Sequence, residues 1–163
     1  ASRVCDIAGR CYTLGVLTLT NTGDARELRM DGVQIGRDLL PPPDTFDPTR
    51  ASGSIMIVVG TDAPVDSRQL KRIGRRAAMG LARAGGIADH SSGDFIIAFS
   101  NGDRSGLLDD SDLTSLFRAV IESTEEAVIN SVLRAHTVVG RDGNTRQGIP
   151  IDKVRKVLRM SRS

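Results

Sequence analysis

An α+β layered sandwich is the fold this sequence predicts, and three observations predict it. Strand-type and helix-type segments follow one another as strands, helix, strand, helices, without a regular βαβ repeat. Two near-continuous apolar runs, 54–61 (SIMIVVGT) and 94–100 (DFIIAFS), have the composition of strands buried on their faces. Between them, Leu70, Ile73, Ala77 and Leu81 recur at the spacing of one helical stripe.

Taken in order, residues 12–19 (YTLGVLTL) read as a strand, and the turn residues Asn21, Thr22, Gly23 and Asp24 end it. Leu28-Arg29-Met30 and Val33-Gln34-Ile35 flank Asp31-Gly32, the signature of a two-residue hairpin turn. Residues 38–53 (DLLPPPDTFDPTRASG) are different in kind. Four prolines support neither ladder nor helix, so an exposed irregular connection is expected. Asp66 and Gln69 form a capping box for the helix that Gly85-Gly86 closes. Beyond the second apolar strand and a polar turn region, two further helices are expected. One carries Leu113, Leu116, Phe117, Val120 and Ile121; the other starts at a second capping box, Ser123 and Glu126. Residues 140–144 read as a loop and 151–158 as a short last helix.

Composition narrows the function. Lys and Arg total 22 against 20 Asp and Glu, and this near balance argues against nucleic acid or an anionic membrane as partner. No apolar run reaches the roughly 18 residues of a membrane span. Cys5 and Cys11 leave a disulfide open, and with His90 and His136 they supply too few soft ligands in suitable spacing for zinc. No cofactor and no metal are expected. The cluster Arg68, Lys71, Arg72, Arg75, Arg76 and Arg83 reads as a solvated or subunit-contacting face, since no aromatic residues interleave it.

The chemistry centres on Ser54, which opens an apolar strand directly after Gly53. A serine hydroxyl needs a base, and neither histidine stands in a recognisable spacing with it. The α-amine of a chain-terminal serine is such a base, with an unperturbed pKa of about 7.7–8.0. That amine exists only once the Gly53–Ser54 bond is cut. Gly53, lacking a Cβ, tolerates a strained conformation and leaves its carbonyl open to the neighbouring hydroxyl.

The segments GSIMIVVGTDAP, QLKRIGRRAAMGLAR, SSGDFIIAFS and TEEAVINSVLRAHTVVGRDG, with YTLGVLTLTNTGD ahead of them, resemble in order the L-aminopeptidase/D-esterase family, which includes the β-aminopeptidases. The resemblance implies an αββα sandwich like that of the N-terminal-nucleophile hydrolases, and a precursor that cuts itself into two subunits. Residues 1–53 would then be the tail of the α subunit and 54–163 the β subunit. A longer N-terminal region of the same precursor would complete the fold and the pocket. The resemblance assigns the nucleophile to Ser54, a second essential serine to Ser92, an acidic position that is Glu in relatives to Asp94, and an oxyanion-polarising amide to Asn21. Physical reading agrees: Ser92 and Asp94 are two apart and share a face of an extended segment, and the Asn21 amide is a neutral donor suited to an oxyanion.

The implied activity is hydrolysis of N-terminal amide or ester bonds in small peptides, amino-acid amides or esters, including β- or D-amino acid substrates. An acyl-enzyme forms on Ser54, in a homo-oligomer that is cytoplasmic, or periplasmic if an upstream leader exists. Two readings compete. One is acyl transfer or pantetheine-type amide hydrolysis on the same fold. The other is a non-catalytic binding domain that uses the Arg-rich helix.

Overall fold

A computed structural model describes residues 1–21, 23–39, 53–90 and 92–161. The expected irregular connection 38–53 falls largely outside them. The described part opens with strand β1 (Ser2–Ile7), which turns through Ala8-Gly9 into the long strand β2 (Arg10–Asn21). A one-turn 3-10 helix (Ala25–Glu27) leads to the hairpin β3 (Arg29–Met30) and β4 (Val33–Gln34), then to the short helix α1 (Gly36–Leu39). Asp31 and Gly32 take φ of 54° and 75°, the left-handed pair that the Asp-Gly turn requires.

Strand β5 (Ser54–Thr61) follows, then helix α2 (Ser67–Arg83). The Asp66 carboxylate accepts from the Gln69 amide at 2.7 Å while the Gln69 side chain accepts from the Asp66 amide at 3.0 Å. The expected capping box is therefore present. Gly86 N–H closes the other end on Leu81 C=O at 3.0 Å.

Strand β6 (Phe95–Ser100) and one long helix, α3 (Leu113–Arg134), come next. The two helices expected from the second capping box are thus a single one. Mid-helix amides are already bonded to the preceding turn, so Ser123 has no free N–H to cap. Its side chain is buried, and its Oγ has no hydrogen-bond partner among the described residues. A small exposed hairpin, β7 (Val138–Val139) with β8 (Thr145–Arg146), and the helix α4 (Ile151–Met160) end the chain. α4 packs Val154 against Met30 and Ile35 in a second, smaller core.

The main sheet has the order β1-β2-β5-β6, with β5 and β6 parallel and the other pairs antiparallel. Strand periodicity sorts its side chains onto two faces. Leu14, Val16, Ile55, Ile57 and Val59 are buried beneath α2 and α3. The other face carries Leu17 (71% exposed), Leu19 (69%), Met56, Phe95 (64%) and Ile97 (56%), so nothing among the described residues covers it. The apolar runs led to the expectation of burial on both faces; the structure supplies one cover. Cys5 is buried on the helix side and Cys11 is exposed, opposite Asp6 on the other face, so the two thiols are free and cannot pair.

The basic helix is internally committed. Arg68 and Arg72 hold Asp110 at 2.7 and 2.8 Å, Arg83 holds Glu125 at 2.8 Å, and the Arg76 guanidinium lies 3.4 Å from the centroid of the Phe117 ring. No helix among the described residues is long and apolar enough to cross a membrane.

Candidate active site

Ladder register brings Asn21 and Ser54 together. β2 and β5 pair so that the last residue of one lies opposite the first of the other. Side chains directly opposite in an antiparallel pair share a face, and here it is the uncovered one. Ser54 and Asn21, distant in sequence, therefore point the same way at one end of the sheet.

The segment that enters β6 supplies the rest. Gly93 N–H donates to Ser54 Oγ at 3.0 Å, leaving the Ser54 hydroxyl hydrogen unused by that contact. Ser92 Oγ lies 2.9 Å from the Gly53 carbonyl oxygen and 2.6 Å from Asp94 Oδ1. One hydroxyl hydrogen serves one acceptor at a time, so Ser92 is poised between the carbonyl of the Gly53–Ser54 bond and a carboxylate. Asp94 Oδ1 also accepts from the Ile55 amide at 3.1 Å. That bond ties the carboxylate to the first turn of the strand pleat behind Ser54. The shorter aspartate side chain reaches because β6 runs parallel to β5, with Phe95 opposite Met56.

All the sequence-derived site residues, Ser54, Gly53, Ser92, Asp94 and Asn21, thus gather at one sheet end. Sequence reasoning missed the Gly93 amide. Its signal was the glycine itself: a Cβ there would stand 3.3 Å from Ser54 Oγ, so the backbone approaches that hydroxyl as only a bare residue comfortably allows. His90 and His136 are exposed, and among the described residues no group of three His, Cys, Asp or Glu is placed to hold a metal. A cavity of about 300 Å³ touches Asn21 from the helix side, lined by Asp24, Leu81 and Val128 among others. Ser54, Ser92 and Asp94 do not line it.

The model of peptidase family S58 matches residues 1–146. The beta-peptidyl aminopeptidase BapA of Sphingosinicella xenopeptidilytica is 34% identical over 98% of this chain and 45% of its own length. A solved protein of Pyrococcus horikoshii OT3 superposes with a TM-score of 0.86 at 38% identity, over 99% of this chain and 46% of that one. The L-aminopeptidase D-Ala-esterase/amidase of Ochrobactrum anthropi, a serine aminopeptidase described as a variant of the Ntn hydrolase fold, gives 0.84 at 32% identity, over 99% and 47%. This chain spans just under half the length of these relatives, and its α+β architecture is part of their fold. On the extent of the family match and the identity to these relatives, the chain belongs to peptidase family S58.

Proposed function

We propose that these residues form the catalytic part of a self-processing serine aminopeptidase or amidase, cut between Gly53 and Ser54 into segments 1–53 and 54–163. The observation that carries this reading is the cluster at the start of β5: a serine hydroxyl receiving an amide hydrogen bond, beside a carbonyl that a second serine can polarise. The aminopeptidase names of the relatives support it.

Self-cleavage follows from this arrangement. Ser54 Oγ attacks the Gly53 carbonyl carbon, and its proton passes to the Ser54 nitrogen as the amide bond breaks, leaving an ester between Gly53 and Ser54 Oγ. Water hydrolyses the ester to a Gly53 carboxylate and a free Ser54 hydroxyl and amine. In turnover that amine takes the hydroxyl proton as general base. Oγ then attacks the amide or ester carbonyl of a substrate with a free N-terminus, forming an acyl-enzyme that water resolves. Donors directed at the developing oxyanion stabilise it in a site that excludes water. Asn21 supplies such a donor on the substrate side. Ser92 and Asp94 hold or relay the proton of the Ser54 ammonium.

The rest of the same precursor closes the uncovered face over Ser54 and supplies the remaining pocket walls. Intact mass of the full-length precursor and of Ser54→Ala tests the reading. Wild type is expected as two fragments meeting at Gly53–Ser54, and Ser54→Ala as one uncut, inactive chain. A Ser54→Ala protein that still cuts itself and hydrolyses an aminoacyl anilide overturns the assignment.

A further inference from the structure

The side chains that β2 turns toward the helices change character at its end. Leu14 and Val16 are buried in the core, and Thr18 and Thr20 follow them on the same face. Thr20 lies directly opposite Ile55, one step before Asn21 meets Ser54. Its Oγ1 is 2.8 Å from Ser131 Oγ on α3. Ser131 Oγ in turn donates to the Val128 carbonyl at 2.7 Å. A serine hydroxyl has one hydrogen, so Thr20 is the donor of the pair and Ser131 the acceptor. The last helix-side residue of β2 is thus bonded, through one intervening hydroxyl, to the backbone of α3 at the buried residue Val128.

Close packing contributes less at this strand end. The cavity of about 300 Å³ adjoins both Thr20 and Asn21, with Leu81, Val128 and Val132 among its walls. Side chains beside a cavity lack the contacts that fix a close-packed core. Threonine is stiff at χ1, so a bond made by its hydroxyl restrains the backbone that carries it. The peptide unit shared by Thr20 and Asn21 then sets the direction in which Asn21 leaves the strand. Beyond Asn21, the chain is held at Asp24, whose carboxylate accepts from the Arg26 amide at 2.9 Å, and at Arg29, whose amide donates to Ala84 C=O at 3.0 Å. Before it, the Thr20–Ser131 bond is the adjoining anchor to the helix layer.

We propose that Thr20 and Ser131 are positioning residues. By tying the end of β2 to α3, they set where the Asn21 amide stands relative to Ser54. The proposal rests on the reading of Asn21 as an oxyanion donor on the substrate side. Both hydroxyls lie on the helix side of the sheet, whereas Ser54 and Asn21 share the other face, so they act through Asn21 and touch no substrate. Misplacing a catalytic group by about 1 Å can cost roughly 10²-fold in rate. A strand end loosened at one bond is expected to cost less than that.

Kinetics of the full-length protein on an aminoacyl anilide test it, with intact mass to show that the chain has cut itself. Thr20→Val keeps the branched shape and removes the hydrogen bond. Thr20→Val and Ser131→Ala are each expected to lower kcat roughly tenfold, with KM within about twofold of wild type, because an oxyanion donor acts in the transition state. The double variant is expected to lose no more than either single one, since both remove the same bond. Thr20→Ser, which keeps the hydroxyl, is expected to retain most of kcat. In an Asn21→Ala background, Thr20→Val is expected to cost nothing further. An unchanged kcat overturns the proposal, and a lowered melting temperature beside it would mark a purely structural pair. Losses that multiply in the double variant overturn it too, as does a further loss in the Asn21→Ala background or a Thr20→Ser protein as slow as Thr20→Val. A wild type that stays one uncut, inactive chain removes the reading of Ser54 itself, and this proposal with it.

Discussion

Gly93 shows how much a single backbone amide contributes to this site. Its N–H is the group bonded to Ser54 Oγ, and the absence of a Cβ lets it come that near. Gly93→Ala places a methyl 3.3 Å from Oγ and lengthens that bond. Removing a preorganised donor aimed at a developing oxyanion costs roughly 10²–10³-fold in rate, and weakening a donor to the attacking hydroxyl is expected to cost no more than the lower end of that. Self-cleavage of Gly93→Ala, followed by intact mass after synthesis, is expected to slow on that order while the melting temperature stays near wild type; cleavage at the wild-type rate would remove Gly93 from the site. The residue scale is also where the sequence was most and least legible. Ser54 drew notice from its place after Gly53 at the head of an apolar run, whereas Ser92 and Asp94 were assigned only through the family resemblance. The Gly93 donor could not be read, because every residue but proline carries the same amide. Nor could the partnership of Asn21 with Ser54, which is set by ladder register between strands that the 22–53 connection separates.

At the scale of elements, α2 and α3 approach closely over the sheet, and Gly80 sits at a close contact between them. A Cβ there would fall 2.3 Å from the Ile121 carbonyl oxygen and 2.7 Å from Thr124 Cβ, both on a neighbouring helix that cannot yield cheaply. Gly80→Ala is expected to destabilise the full-length protein by about 1–3 kcal/mol despite alanine's better helix propensity; a denaturant midpoint that rises instead would show the helices free to part. The β1 edge makes a pH-dependent contact. The hydrogen bond from Arg3 lowers the Glu126 carboxyl below its ordinary value of 4.5, against the opposing effect of burial. A depressed folded-state pKa gives stability that is present above the ordinary value and lost as pH falls through the folded one. Both side chains are more than a third exposed, so the effect is small. Glu126→Gln is expected to melt slightly below wild type near about pH 6, with the difference shrinking as pH falls below 4.5; a difference that does not change with pH would dismiss the contact. Sequence patterns revealed α2 and β5 because amphipathic stripe, caps and apolar run agreed. They divided α3 in two because Ser123 and Glu126 imitate a cap inside a helix, and overlooked β1 because Arg3 and Asp6 interrupt its apolar alternation.

The molecule as a whole is one helix layer on one sheet, with a second apolar surface that its own described residues leave bare. That bareness was legible in the sequence only as an excess: two strands apolar on both faces imply two covers, and the helices counted along the chain suffice for one. The thiols turn the same asymmetry into an instrument. Cys5 is sealed under α3, its sulfur directed to the Ser115 carbonyl at 3.8 Å, and burial pushes its thiol up, away from the reactive thiolate. Cys11 stands exposed on the bare face. These 163 residues therefore contain one exposed thiol, and alkylation by a maleimide is expected at unit stoichiometry in them as they stand. In the full-length protein the same reaction is expected to slow, with Cys5 silent in both. A spectroscopic label at Cys11 would then report directly on anything that comes to cover the bare side of the sheet.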